Sequence, residues 1–190
     1  MTLSKCFSIS WFAPVVPSIS LAGIPLGASD EVLSRVFLEY LVDASGQLYK
    51  FEGSPILRLR TRGLDEFGNG GYSFFLFDDS VVNEMLKGTP ALSVMIRGGR
   101  VYAVKVYDFS FPGDRSQNLV YKGTSPGGVG LGNLVSDLLP FAILNFDSAE
   151  EWFCTDQNYG GLEVTGWGVP LEDHPDQIIT ALCVISGVIG

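Results

Sequence analysis

Short apolar runs separated by glycine and proline constrain the fold of this chain more than any other feature of its sequence. The runs are rich in β-branched and aromatic residues, which is typical of β-strands bounded by turns. Residues 7–21 contain Pro14 and Pro17 and are expected to form an edge or irregular strand. The Arg-Gly-Gly-Arg sequence at 97–100 predicts a tight hairpin. Further strands are predicted at residues 48–51, 56–61, 72–77, 92–96, 101–109, 142–146, 151–155, 161–166 and 178–185.

The sequence predicts few helices. Helical spacing is clearest over residues 32–42, where apolar side chains recur on one helical face. Ser29 is placed to cap the start of this helix, and Gly46 follows its end. Shorter helices are predicted at residues 80–86 and 134–139, the second of them stopped by the proline that follows.

A glycine-bounded motif occurs twice in the chain. Residues 23–27 (Gly-Ile-Pro-Leu-Gly) and 128–132 (Gly-Val-Gly-Leu-Gly) share the order glycine, apolar, any residue, leucine, glycine. A helical segment and several strands follow each copy, and the glycine pairs 70–71 and 160–161 each open a strand at a comparable place in the two halves. The pattern favours an α+β fold of antiparallel sheet with few helices, with two degenerate strand–helix–strands repeats as a hypothesis.

Charge is distributed unevenly along the chain. Residues 1–122 contain 12 acidic and 12 basic residues, whereas residues 123–190 contain nine acidic residues and no lysine or arginine. The whole net charge of −9 therefore lies beyond Lys122. We divide the chain into a charge-balanced half, 1–122, and an acidic half, 123–190, which we expect to pack together as one compact unit.

Two interpretations of the acidic half remain open. It can be a solvated face that aids solubility, or a surface that attracts and selects a basic partner. The lack of positive side chains favours the second, since surfaces that serve solubility alone usually mix both signs. Tryptophan and tyrosine, which are enriched at interface hot spots, lie among the carboxylates. The predicted partner-binding residues are Asp147, Glu150, Glu151, Trp152, Asp156, Tyr159, Glu163, Trp167, Glu172 and Asp173.

The three cysteines indicate a reducing compartment. Cys6, Cys154 and Cys183 are odd in number, widely spaced and set in apolar segments, so neither a disulfide framework nor a zinc site is predicted. Residues 177–190 are uncharged but fall short of the ~20 residues needed to span a bilayer. We therefore expect a cytoplasmic protein that does not bind membranes. We also expect no binding to nucleic acid, because an acidic surface repels phosphates.

No segment carries a recognisable catalytic or cofactor-binding motif. His174 is the single histidine and lies in an acidic, proline-containing turn. The glycines at 127–132 lack the Lys-Ser/Thr pair of a phosphate-binding loop. Residues 156–167 begin like a calcium loop but end in Trp167, where a bidentate glutamate is required. We therefore predict no catalytic residue, no metal and no cofactor.

Four further segments share one style of sequence, namely residues 128–139, 146–153, 161–164 and 176–179. Together they resemble the immunity proteins that bacteria encode beside polymorphic toxins, such as type VI secretion or Rhs-type effectors. The resemblance implies a cytosolic inhibitor that binds its cognate toxin and masks the toxin's active site. The helix-plus-antiparallel-strand pattern also resembles the β-lactamase-inhibitor type of fold. The alternatives are a ligand-binding or accessory domain and an enzyme with a carboxylate-based site.

Overall fold

The structure of the protein is a computed structural model, which describes residues 7–186 apart from the side chains of residues 61 and 62. It contains a ten-stranded antiparallel sheet and a separate two-stranded hairpin of β1 and β2. Cys6 lies outside the described residues. The strands are β1 (Ser20–Leu21), β2 (Ile24–Pro25), β3 (Leu41–Asp43), β4 (Leu48–Tyr49), β5 (Leu57–Leu64), β6 (Gly70–Leu76), β7 (Leu92–Arg97), β8 (Arg100–Tyr107), β9 (Leu144–Asp147), β10 (Trp152–Thr155), β11 (Leu162–Thr165) and β12 (Ala181–Ile185).

Two meanders build the large sheet. Strands β3 to β8 follow one another as neighbours, and β9 to β12 do the same in the second half of the chain. The two meanders join where β12 pairs with β8, which gives the order β3-β4-β5-β6-β7-β8-β12-β11-β10-β9. Every strand predicted after residue 47 overlaps an observed one, and the α+β class with few helices is confirmed. The hairpin at 97–100 is also confirmed, with Gly98 and Gly99 both at positive φ.

One face of the large sheet packs on the hydrophobic core. Phe74 on β6 is fully buried, and its ring contacts Phe37 at 5.1 Å and Phe51 at 5.0 Å between centroids. Trp11 stacks on Phe51 and donates its indole N–H to the carbonyl of Leu119 at 3.0 Å. Residues 7–21, predicted as an edge or irregular strand, thus form a largely irregular segment that covers this face and contributes only β1 to a strand.

The helix α1 (Asp30–Leu38) is shorter than predicted. Ser29 caps its start as expected, accepting a hydrogen bond from the amide of Val32 at 3.3 Å. The predicted continuation to residue 42 is wrong, because Leu41–Asp43 pairs with β4 instead. The backbone of Tyr40 accounts for the change, because its carbonyl accepts the amide of Lys50 at 2.9 Å instead of a helical partner. Its hydroxyl accepts the amide of Ile9 at 2.9 Å and ties this point of the chain to the covering segment.

The two short predicted helices are single 3-10 turns. Residues 80–86 form such a turn only at Glu84–Leu86, and residues 134–139 only at Val135–Leu138. The first is followed at once by an extended residue, Lys87, and the second by Pro140, which cannot continue a helical hydrogen-bond ladder.

Both copies of the glycine-bounded motif make the same contacts with the sheet. In each half, residues at and just after the end of the motif are joined to residues at or just before the start of that half's last strand by three backbone hydrogen bonds of 2.8 to 3.0 Å. They are Gly27 N to Val101 O, Val101 N to Ala28 O and Asp30 N to Gly99 O, and correspondingly Gly132 N to Ile179 O, Ile179 N to Asn133 O and Val135 N to Gln177 O. The agreement supports the repeat hypothesis.

The pairing of β8 with β12 completes an approximate two-fold arrangement. Lys105 and Cys183 are direct partners, and each lies six residues beyond the corresponding position, Gly99 or Gln177. The register is symmetric about this pair. The glycine pairs 70–71 and 160–161 are not equivalent, however. Gly70 begins β6, two strands from β8, whereas residue 161 precedes β11, which adjoins β12. That part of the repeat prediction is wrong.

A candidate binding groove on the polar face

The face of the sheet opposite the core is polar, and we call it the polar face. Residues directly opposite each other on neighbouring strands point to the same side of a sheet. The register therefore places one row of side chains across the polar face from β5 to β9. The row is Arg60, Ser73, Ser93, Lys105, Cys183, Glu163, Cys154 and Asn145. Cationic side chains lie on the first-half strands of this row, and its carboxylate lies on β11.

A groove of about 440 Å³ crosses the middle of the polar face. Strands β8 and β10 are three strand spacings apart, which is about 14 Å in a flat sheet. Lys105 Nζ lies 4.7 Å from the centroid of the Trp152 ring, so these two long side chains together reach across that distance. The lining residues are Met95, Arg97, Tyr102, Ala103, Lys105, Asp147, Glu150, Trp152, Cys154, Glu163, Cys183 and Ile185.

The groove has a tightly closed floor and walls of opposite charge. Cys183 and Ala103 form the floor, with exposed fractions of 0% and 2%. Arg97 and Lys105 lie on the wall formed by β7 and β8. The three carboxylates, Asp147, Glu150 and Glu163, lie on the wall toward β9.

Both cations of the groove rest on aromatic rings. The Arg97 guanidinium lies 4.3 Å from the centroid of the Tyr102 ring, and Lys105 rests on Trp152 as described above. Within residues 7–186 the ion pairs are Arg35–Glu31 and Lys87–Glu84, so neither groove cation has a carboxylate within 4.0 Å. The charged groups of the groove are thus available to a ligand.

The two thiols of the groove are weak nucleophiles. Burial raises the pKa of Cys154, and the nearby carboxylates of Glu163 and Asp147 raise it further. Burial raises the pKa of Cys183 to about 12, although the charge of Lys105 opposes the shift. Since the thiolate is the reactive form, the raised pKa values keep both thiols largely protonated near neutral pH and lower their reactivity. Cys183 is buried, and Cys154 is half-buried.

Slow alkylation is the expected result of these raised pKa values. In a Cys6→Ser variant, iodoacetamide at pH 7 should modify Cys183 far more slowly in the folded protein than in urea, with Cys154 intermediate. Rates should increase as the pH rises toward each pKa, because the thiolate fraction grows. Peptide mass spectrometry gives both rates, and fast modification of Cys183 in the folded state would contradict its placement on the groove floor.

Four of the ten predicted partner-binding residues line the groove. They are Asp147, Glu150, Trp152 and Glu163. Asp147 also organises the turn after β9, where its Oδ1 accepts the amide of Ala149 at 2.8 Å.

Asp156 and Tyr159 stabilise local structure. The carboxylate of Asp156 accepts the amides of Ile143 at 2.7 Å and Asn158 at 2.8 Å, and these hydrogen bonds lower its pKa. The hydroxyl of Tyr159 donates to the carbonyl of Pro126 at 2.8 Å. Neither residue lines the groove.

The remaining four predicted residues lie outside the groove. Glu151 directly follows Glu150 in the sequence, and it is exposed with a positive φ of 61°. Trp167, Glu172 and Asp173 lie on the connection between β11 and β12, where Trp167 is 51% exposed and stacks edge-on against His174. The predicted single acidic surface is thus divided between the groove and this connection.

Gln177 holds the β11–β12 connection in place. Its side chain is fully buried, and its Oε1 accepts the amide of Trp167 at 3.0 Å. Its Nε2 donates to the carbonyls of Val169 at 2.9 Å and His174 at 3.0 Å. A Gln177→Leu change should lower the free energy of unfolding by about 1–3 kcal/mol, since three polar partners lose a hydrogen bond inside the protein. Urea unfolding measures this effect. The exposed Gln157→Leu change is the control, with an expected effect within about 0.5 kcal/mol.

The sequence interpretation missed the cationic wall. Arg97, Tyr102 and Lys105 belong to the charge-balanced half, and a net charge of zero over residues 1–122 gives no sign of a local group of cations. A local signal was present, because Lys105 interrupts the apolar strand β8 at a position facing away from the buried Val104 and Val106.

Comparisons of this chain with protein-family models, curated proteins and solved structures find no match. Across residues 7–186, no helix is both long and apolar enough to cross a membrane. The same residues contain no group of three or more His, Cys, Asp or Glu side chains placed to hold a metal ion.

Proposed function

We propose that the chain is a binding protein of the immunity type, which captures a basic partner protein in the polar groove and blocks the partner's active site. The observation that carries the proposal is the groove itself, whose walls present charges beside aromatic rings, with no ion pair to either cation among the described residues. Arginine, tyrosine and tryptophan are the residue types most enriched at binding hot spots. The proposal includes a cytoplasmic location, in keeping with the unpaired thiols of Cys154 and Cys183.

The shape of the groove favours a protein partner. The lining residues extend from β7 to the turn after β9, across five strand spacings of about 4.8 Å. A convex element such as a helix or a hairpin fits a trough of this length. The carboxylate wall, together with the net charge of −9, favours an element whose contacting surface is basic.

A ligand-binding function is the second candidate. The groove volume of about 440 Å³ lies within the roughly 300–1,000 Å³ typical of small-molecule sites. Five of its twelve lining residues are charged, whereas small-molecule sites are predominantly apolar with few polar groups. A ligand of this site therefore carries both a positive and a negative group.

Two variants with the same change in net charge test the proposal. The groove variant is Glu150→Lys with Glu163→Gln, and the control is Glu172→Lys with Asp173→Asn on the β11–β12 connection. A basic protein retained from the native cell extract by the wild-type chain should be lost on the groove variant and kept on the control. Co-expression provides the functional arm: the wild type and the control should protect a bacterial host from that protein, and the groove variant should not.

Two outcomes contradict the proposal. If the groove variant retains the basic protein and the control loses it, the binding surface lies on the β11–β12 connection instead. Saturation of the groove by a small zwitterion, with no protein retained, would favour the ligand-binding function instead.

A further inference from the structure

We infer that Lys105 occupies a cation site in the groove from within the protein, and that an arginine side chain of the partner displaces it during binding. The inference rests on the proposed function, because it assigns a binding mode to the same groove. It identifies the ligand group as a guanidinium that stacks on Trp152 and is bound by the neighbouring carboxylates.

The position of Lys105 is the first support. Its ammonium reaches across β12 and β11 to lie 4.7 Å from the centroid of the Trp152 ring, the side chain that binds cations best among the aromatic residues. Three carboxylates line the same groove, yet within the described chain none lies within 4.0 Å of Lys105 Nζ. The lysine therefore satisfies the ring and leaves the carboxylates without a cation.

The electrostatics around Cys154 and Cys183 support the same arrangement. Cys154 lies close enough to Glu163 and Asp147 for both to raise its thiol pKa, and its Sγ is 3.9 Å from Glu163 Oε1. The charge of Lys105 has the opposite effect on Cys183, whose thiol pKa it lowers. The carboxylates thus face the groove beside the ring on which Lys105 rests.

An arginine suits this site better than the resident lysine. A guanidinium is planar, so it can stack on Trp152 while its edge donates two hydrogen bonds to a carboxylate. An ammonium is a compact point charge that cannot make both contacts with the same geometry. Displacement also frees Lys105 to pair with an acidic group of the partner.

The test uses N-acetyl-arginine amide as the probe and follows the tryptophan indole N–H signals by NMR. The Lys105→Met variant keeps an apolar stem but removes the charge, and Lys105→Gln is a second such variant. Each should bind the probe about three- to thirtyfold more tightly than wild type, as expected when a competing cation–π contact is removed. The matched control, Lys122→Met, removes an exposed lysine outside the groove and should leave the affinity unchanged.

A second change identifies the ring. Adding Trp152→Leu to Lys105→Met should abolish the gain, while the indole signal of Trp167 should not shift in any variant. Equal affinities of Lys105→Met, Lys105→Gln and Lys122→Met would overturn the inference, as would a gain that survives loss of Trp152. If the probe binds as expected but the groove variant still retains the captured partner, the proposed function fails and the cation site stands. If instead the groove variant loses the partner but the Lys105 variants bind the probe no more tightly than wild type, the proposed function stands and the cation site fails.

Discussion

Replacing Phe74 by alanine should lower the free energy of unfolding by about 3–5 kcal/mol, while the same change at its neighbour Phe75 should cost about 1 kcal/mol. Phe74 is fully buried and packs against the rings of Phe37, Tyr49 and Phe51 at centroid distances of 5.0 to 5.5 Å. Its removal leaves a cavity that this rigid aromatic cluster cannot fill. Phe75 points to the polar face, where the Arg60 guanidinium lies 4.4 Å from the centroid of its ring.

Urea unfolding of both variants, followed by tryptophan fluorescence, measures the difference. The two changes are chemically identical and adjacent in sequence, so they differ only in the face of the sheet they affect. Similar losses for Phe74→Ala and Phe75→Ala would mean that both faces are packed as core. In that case the polar face could not be a binding surface.

Replacing Gly23 by alanine should destabilise the protein by about 3–4 kcal/mol, which combines the cost of a left-handed backbone with that of overpacking. Gly23 has a φ of +81°, and a methyl group there would overlap the carbonyl oxygen of Ser8. Gly128 is its counterpart in the second copy of the motif. It has a φ of +80° but open space around its Cβ position, so Gly128→Ala should cost only about 1–2 kcal/mol.

The comparison of these two glycines separates backbone strain from steric overlap. Thermal and urea unfolding give both values, and the difference between them measures how closely the covering segment packs on the first copy of the motif. Equal losses would show that Ser8 moves aside, and would contradict the close packing of residues 7–21 against this turn.

The strands were predictable because each is a short run bounded by glycine or proline, a local signal. The end of α1 was not. Residues 40 and 41 continue the apolar spacing of the helix, whereas the structure pairs Leu41 with Tyr49 on β4 and bonds the Tyr40 hydroxyl to Ile9, which lies 31 residues away. The motif copies at 23–27 and 128–132 were recognisable from the sequence. Their shared contacts depend on strand ends that lie far from them along the chain.

One wall of the candidate site was predictable from the sequence. Asp147, Glu150, Trp152 and Glu163 carry the charge and aromatic signals that a linear count detects. Arg97 and Lys105 join them only because β8 pairs with β12, which no sum over chain halves can reveal. The same pairing changes the interpretation of the acidic half: three of its carboxylates face two cations across a groove, and the acidic residues do not form one continuous surface.

Carboxyl footprinting of the complex tests most directly the claim that the groove binds the partner. The wild-type chain, alone and with the captured basic protein, is labelled with a carbodiimide and glycine amide, and the modified residues are counted by mass spectrometry. The groove account predicts that labelling of Asp147, Glu150 and Glu163 falls on binding, while that of Glu172 and Asp173 on the β11–β12 connection stays the same. Protection of Glu172 and Asp173 with unchanged labelling of the three groove carboxylates would contradict it.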